Sequence, residues 1–392
     1  SNTSFSGRFG RGVGVGGRVD LNVRLTDATT DYDDAFPLAD SAAKSRDKAA
    51  VTGLTYSGLL NSWWDHRLTF GWSRNHRTNQ YASAGDSDTD SQTRQLDWQH
   101  TLDVGPENLL TVGYEYQNDI GKYTAGFGGY DERIVTNSVY VQDQLAVFDP
   151  LFITAGVRSD DNNRYGRANT YKVGSSLALA TWRIFGSFAT GFRAPSLDDL
   201  FFPNFPGFIS SNPNLDPETS RGYEIGVHRD LIPRVTSIEA TYFRTNYRDL
   251  INFGSSGPEN VDSAEIMGVE VTGDWTIDAK AAVQGNYTYT STHDDSTDDQ
   301  LLRRPRNKAN LALIFKPEPG STLRVDYRYV GERLDFGGDI PSYSIVTLAG
   351  SQGFSFGTLY LRVDNLFDRD YEEVTDYGTT GRALYAGVTG RF

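Results

Sequence analysis

The chain contains no cysteine, so disulfides, thiolate metal sites and a cysteine nucleophile are all excluded. It holds one methionine and no apolar run near the ~20 residues that a membrane-spanning helix needs. Basic residues are in deficit: 37 Lys and Arg stand against 51 Asp and Glu, a formal net charge of -14. That balance argues against nucleic acid as a partner, because nucleic acid selects basic surfaces. The five histidines are scattered, with no spacing that suits a metalloprotease or an activated nucleophile. No catalytic residue is assigned. The first residues, Ser1-Asn2-Thr3-Ser4, carry neither the basic nor the apolar region of a secretory signal.

What the chain does have is alternation. A mean hydropathy of -0.48 suggests a soluble protein, but a sheet with one polar face keeps that average low without any apolar run. Val19, Leu21, Val23 and Leu25 interleave with Arg18, Asp20, Asn22 and Arg24. Leu68, Phe70 and Trp72 interleave with Arg67, Thr69 and Ser73. Later, Leu323, Val325, Tyr327 and Tyr329 alternate with Thr322, Arg324, Asp326 and Arg328, and Leu359, Leu361 and Val363 with Tyr360, Arg362 and Asp364. The chain ends with Leu384, Ala386, Val388 and Phe392 against Tyr385, Thr389 and Arg391. Period two marks a strand with unlike faces. These segments exceed the ~5–6 residues usual in a soluble sandwich. Arg and Asp facing a watery lumen, with apolar residues facing lipid, account for both the length and the charge.

The connections alternate as well. Gly105-Pro106-Glu107-Asn108, Asp149-Pro150 and Pro317-Glu318-Pro319-Gly320 suit tight periplasmic turns. Residues 76–92, 194–218 and 291–303 suit longer outer loops. The expected fold is all-β: a transmembrane antiparallel β-barrel, with roughly 19 strands in this chain. Single-chain bacterial barrels have even strand numbers, and about 22 is the expected complete count. No helical amphipathic periodicity and no second domain are evident.

Several stretches resemble the TonB-dependent outer-membrane receptors. They are Gly191-Phe192-Arg193-Ala194-Pro195-Ser196, then Asn212-Pro213-Asn214-Leu215-Asp216-Pro217-Glu218, the run Asn260 to Glu270, Leu301 to Pro305, and Val363 to Tyr371. Phe392 resembles the terminal aromatic of such barrels. Within the family, Arg158-Ser159-Asp160-Asp161-Asn162 followed by Tyr165-Gly166-Arg167 is similar to a segment of receptors for cobalamin. The resemblance implies TonB-coupled uptake of cobalamin or a ferric siderophore across a Gram-negative outer membrane. It implies contact with lipopolysaccharide, and with the TonB complex through an N-terminal plug and TonB box. Residues 1–392 are then expected to be the C-terminal part of the barrel, without the plug and the first strands. A passive diffusion channel or a plugless structural barrel is the competing reading.

Ligand contact is expected in the loop after Pro195, where Phe201, Phe202, Phe205 and Phe208 lie among prolines and glycine. Aromatics in a polar exterior either meet an apolar ligand or pack on one another, and the sequence leaves both open. No cofactor is required, but the resemblance implies calcium in the outer loops. Tyr32-Asp33 and Asp40 match two carboxylate positions of the cobalamin receptors, and Asp31 and Asp34 are nearby. A calcium ion takes six to eight oxygen ligands, so these residues alone do not complete a site, and solvated loop acids are the alternative. Arg303, Arg304 and Arg306, with Glu265 and Glu270, are expected in the lumen. There they either meet a plug or are simply hydrated.

Overall fold

Side chains that alternate in polarity commit the backbone to extended strands, and each strand must find neighbours for its N–H and C=O groups. The computed structural model of the chain describes residues 1–34, 39–81, 85–204, 209–254, 257–336 and 338–390. Within those residues, the side chains of 33, 34, 39–42, 253, 254, 261 and 262 are not described. Phe205, Phe208, Arg391 and Phe392 therefore lie outside the described residues, as do the side chains of Asp33, Asp34 and Asp40.

The first strands are β1 (Asn2–Val13), β2 (Gly17–Asp34), β3 (Ala39–Asn61), β4 (Trp64–Gln80), β5 (Ser87–Asp103), β6 (Asn108–Ala125), β7 (Gly128–Phe148) and β8 (Leu151–Asn162). Next come β9 (Gly166–Leu179), β10 (Trp182–Arg193), the short helix α1 (Leu197–Phe201), β11 (Glu218–Ile232), β12 (Thr236–Gly254) and β13 (Gly257–Thr276). Then follow β14 (Ala281–Asp294), β15 (Asn307–Phe315), β16 (Ser321–Val330), β17 (Arg333–Asp335) and β18 (Gly338–Ile340). The last are β19 (Tyr343–Phe354), β20 (Gly357–Asp364), β21 (Glu372–Val374), β22 (Tyr377–Gly378) and β23 (Ala383–Gly390). Among the described residues, nineteen strands belong to one large sheet, and β17–β18 and β21–β22 form two small ribbons. No helix among them is long and apolar enough to cross a membrane, so any crossing is made by strands.

Two compact units make up the chain: residues 1–173, 189–220 and 248–261, and residues 174–188, 221–247 and 262–392. In the first, β1 to β8 form an antiparallel meander, each strand paired with the next. In the second, β13, β14, β15, β16, β19, β20 and β23 do the same.

Register places like with like. Leu21 opposes Leu54, Leu54 opposes Phe70, Phe70 opposes Leu96, and Leu96 opposes Tyr116. One row away, on the other face, Asp97 opposes Glu115, Glu115 opposes Ser138, and Ser138 opposes Asp160. The apolar face is open: Val139 and Val157 are 57% and 60% exposed. A water-soluble sheet hides its apolar face, so this inverted pattern is that of a lipid-facing one. On β4, that face runs from Trp64 to Trp72, about 27 Å of strand at ~3.4 Å per residue. Tilted as barrel strands are, this spans close to the ~25 Å apolar band that aromatic girdles bound.

Turns at one end of the strands are short, as at residues 62–63, 104–107, 149–150 and 355–356. Gly105 has φ 114° in the second of these, a conformation that favours glycine. The polar stretch 76–92, expected as a loop, is strand on both arms: β4 runs to Gln80 and β5 restarts at Ser87. Cross-strand pairs explain the difference. Arg74 donates to Asp90 through Nε at 3.1 Å and Thr78 to Asp88 at 2.7 Å, so polar side chains hold the ladder together beyond the apolar band.

The two faces make a testable contrast. Phe70→Arg should cost about 2–4 kcal/mol of folding stability in a bilayer, whereas Gln95→Arg on the polar face should cost less than ~1 kcal/mol. Reversible denaturant titration in lipid vesicles reads both; equal costs would mean that the faces are assigned wrongly.

Candidate functional site

The loop between β10 and β11 begins with a capping box. Asp199 donates its backbone N–H to the Ser196 hydroxyl at 3.1 Å, and the Asp199 carboxylate accepts the Ser196 N–H at 2.8 Å. That start aims Leu197, Leu200 and Phe201 at one side of α1. They pack with Ile134, Leu215 and Ile251, and Leu200 and Leu215 are each only 5% exposed. The Tyr130 hydroxyl donates to Asp198 at 2.6 Å, and burial together with that carboxylate pushes the phenol well above its usual range. Phe202 rests 4.7 Å from Tyr123 and 6.3 Å from Phe127, while the Arg164 guanidinium lies 4.9 Å over the Phe201 ring. Of the four aromatics singled out in the sequence, Phe201 therefore belongs to the loop's own packing and Phe202 to an aromatic stack. Tyr123, Tyr130, Ile134 and Ile251 were not foreseen as their partners. The available signal was period two, which puts Tyr123, Tyr130 and Ile134 on the polar face of β6 and β7.

The Asn212–Glu218 stretch proves to be the seam of this loop. Asn212 donates to the Pro258 carbonyl at 3.0 Å, and its own Oδ1 accepts the Asn214 N–H at 3.0 Å. Asn260 accepts from the Asp216 N–H at 2.8 Å and donates to the carbonyls of Asp216 and Asp249 at 2.9 and 2.7 Å. Buried Glu218 accepts from Arg193 at 2.8 Å and from the Ile251 N–H at 2.9 Å. These side chains satisfy backbone groups in the loop and at the outer ends of β12 and β13.

A second seam lies in the other unit. Asp335, 3% exposed, accepts from the Thr375 and Phe336 N–H groups at 2.9 and 2.8 Å and from Arg303 Nε at 2.7 Å. The Thr375 N–H first, with the Arg303 guanidinium and the Phe336 N–H, holds this carboxyl well below the usual carboxylate range against the cost of burial. Arg333 Nη2 donates to the Glu372 carbonyl at 2.6 Å and the guanidinium lies 5.6 Å from the Tyr343 ring centre. The Tyr343 hydroxyl donates to Glu373 at 2.9 Å, and burial pushes it up to about 12. Buried Asn365 accepts the Arg369 N–H and donates to the Arg369 carbonyl, both at 2.9 Å.

These contacts correct two expectations. Arg303 and Arg304 lie in the connection from β14 to β15, at the end of the strands away from the short turns, not on a strand of the wall. Arg306 there donates to Gln300 at 3.1 Å. Glu265 is ion-paired with Arg244 through Nε at 2.6 Å and shares the face of β13 that carries exposed Val269 and Trp275; Glu270 is on the polar face. Arginines do not mark a lumen when a loop carboxylate claims them. Asp33 and Asp40 fall on β2 and β3, and Asp31 pairs with Lys44 at 3.9 Å. Among the described residues no group of three or more acids and histidines could hold a metal ion.

The polar wall is a network in its own right. Arg158 reaches Glu115 at 2.9 Å and Asp160 at 2.8 Å, Ser138 donates to Asp160 at 2.6 Å, and Tyr140 donates to Asp97 at 3.0 Å. Of these groups, Asp97, Glu115, Tyr140 and Arg158 line a recess of about 620 Å³. In the second unit, Arg324 and Asp326 line another of about 650 Å³. Both walls are built to be wet or to receive another polar surface.

The family model of the TonB dependent receptor-like beta-barrel matches residues 1–366. This chain belongs to the TonB-dependent receptor family. Its relatives are Gram-negative outer-membrane proteins, which makes the open apolar face the lipid face and the polar wall the lumen. The vitamin B12 transporter BtuB of Photobacterium profundum is 29% identical over all of this chain and 64% of its own length. BtuB of Vibrio vulnificus is 30% identical, covering 77% of this chain and 50% of that protein. The chain thus spans less than two thirds of these TonB-dependent relatives. Among solved structures, the siderophore receptor PirA from Acinetobacter baumannii matches 98% of the chain and 70% of that structure, with TM-score 0.84 and 19% identity. The FrpB iron transporter from Neisseria meningitidis matches 99% and 71%, with TM-score 0.82 and 15% identity. At such identities the likeness is one of fold.

Two expected outcomes test the seams. Leu200→Ala should remove about 3 kcal/mol of local packing and speed proteolytic cleavage of the 194–217 loop while the strands below stay intact; an unchanged cleavage rate would show that the cluster does not hold the loop. Asp335 has a folded-state pKa below its unfolded value, so its stabilisation is present above the ordinary ~3.9 and is lost as pH falls through the depressed value. The Thr375 and Phe336 amides should therefore stay protected from hydrogen exchange below about pH 4. In Asp335→Asn they should exchange readily at neutral pH. Loss of wild-type protection above pH 4 would show the carboxyl to be ordinary.

Proposed function

We propose that this TonB-dependent receptor chain serves TonB-coupled import of cobalamin across the outer membrane. The observation that carries the reading is the 29% and 30% identity to vitamin B12 transporters across most of the chain. Supporting it is a lumen wall whose charges are paired along and across its strands. In this reading the loop after Pro195 offers its tip to the ligand, with Phe205 and Phe208 as contacts beyond the packed Phe201. Asp33 and Asp40 take part in a calcium site that orders the outer hairpin. Coupling to TonB runs through a gating segment seated on the polar wall around Arg158 and Glu115.

The test is uptake of labelled cyanocobalamin by a Gram-negative host that lacks its own cobalamin importer. Expression of the native full-length protein should restore saturable uptake that a protonophore abolishes. Asp33→Ala with Asp40→Ala should weaken binding about tenfold, and a chelator should do the same to the wild type. Equal affinity with and without chelator would remove the calcium role. Rescue on ferric siderophores alone would replace cobalamin as cargo, and uptake indifferent to the protonophore would replace active import with a passive pore.

A further inference from the structure

The lumen wall of the first unit holds another recess, of about 590 Å³, on β1 to β5. Two glycines side by side make its floor. Gly53 on β3 opposes Gly71 on β4, and the row continues to Asn22 on β2 and Gln95 on β5. A Cβ at Gly53 would meet nothing within 4 Å, so no neighbouring side chain fills the space that the glycine leaves. One row nearer the outer end are Ser6 on β1, Arg24 on β2, Val51 on β3 and Ser73 on β4.

The lining is one-sided in charge. In a chain of net charge -14, this recess presents Arg8 and Arg24 and no carboxylate. Asp20, one row below, is already held by Arg18 through both oxygens, at 2.6 and 2.8 Å, and Arg8 reaches one of those oxygens at 3.2 Å. One carboxylate thus serves two guanidinium groups, and the Arg8 side chain is left 69% exposed. Arg24 is exposed and has no hydrogen bond or ion pair among the described residues. Arg8 and Arg24 are one strand spacing apart across the sheet and two residues apart along it, about 8 Å between backbones. Two long side chains at that separation can close on a single anion. The Asn22 amide and the hydroxyls of Ser6 and Ser73 border the same space and add neutral donors. Two spare cations over a sunken floor favour an anion that arrives from outside the wall.

We propose, resting on the import reading, that this recess is a lumenal transit site for the phosphodiester of cobalamin, held between Arg8 and Arg24 once the cargo has left the outer loops. A guanidinium fork matches the two free oxygens of a phosphodiester, whereas the amide-fringed corrin ring carries no anionic group for it to meet. The recess also stands aside from the β6–β8 stretch of wall around Arg158 and Glu115 where the gating segment is placed.

The test uses the native full-length protein in the importer-deficient host, with labelled cyanocobalamin and labelled dicyanocobinamide, which keeps the corrin and lacks the phosphodiester. Surface binding is read in de-energised cells, and uptake at saturating ligand in energised ones. Arg8→Gln with Arg24→Gln should lower maximal cyanocobalamin uptake about tenfold, with its surface Kd and the uptake of dicyanocobinamide unchanged. Arg8→Lys with Arg24→Lys should recover part of the rate. Should the double variant fail to assemble, Arg24→Gln alone reads the same contrast, because Arg24 has no described partner in the wall to lose. An equal loss for both ligands would make the arginines a seat for the gating segment and overturn the proposal. So would unchanged cyanocobalamin uptake in the Gln variants, or a surface Kd that weakens in step with the rate. A wild type that imports no cyanocobalamin overturns the import reading and the transit site together, whereas the other outcomes leave import standing.

Discussion

A peptide group inside hydrocarbon has no water to bond with, and every other feature of this chain answers to that constraint. A strand cannot satisfy its own N–H and C=O groups, so it needs a neighbour on each side for as long as it is in lipid. The antiparallel meander provides this at the least cost in connecting chain, because each strand's partner is its successor. Once pairing is obligatory, the side chains are sorted automatically: alternate positions face lipid and lumen, and a one-residue slip would exchange the two. Rows such as Leu54–Phe70–Leu96 and Glu115–Ser138–Asp160 are the outcome of that sorting.

Where the ladder stops, the same debt passes to side chains. Asn260, Asp335 and Asn365 each bond backbone groups that have left the sheet, and Glu218 bonds the Ile251 N–H near the outer end of β12. Three of the stretches by which the family is recognised hold one of these residues, and the other two meet them through Arg303 and Arg193. Their role here is structural: they set where the outer loops fold back, and leave the loop tips free of that task. That division agrees with fold similarity that stays high at 19% identity to the PirA receptor.

Much of the fold was legible from residues alone, since period two is a local signal and the apolar and charged sets in β2, β4, β16 and β20 are clean. The approximate strand number and the short turns followed from it. The hairpin arms within 76–92 were not legible as strand, because above the lipid both faces are polar and alternation vanishes; only cross-strand pairs such as Arg74–Asp90 show it. The candidate site was harder. Phe201 and Phe202 are alike in sequence, and what separates them is contact with Ile134 and Tyr123, many residues away. Arg303 drew a lumenal assignment by its charge, and the carboxylate that claims it is 32 residues further on. Long-range partners of loops leave no periodic trace.

The length of the outer hairpins has an evolutionary consequence. Because β4 and β5 remain paired well past the apolar band, their tip can gain or lose residues in matched pairs without moving any residue below it. Such a hairpin is a telescoping stem on which new tips can be tried, and an unmatched insertion is absorbed near the top as a register shift, as β2 and β3 show, where the two steps from Tyr32 to Asp34 face the four from Ala43 to Ala39. The barrel wall and the specificity of its rim are thereby free to drift at different rates.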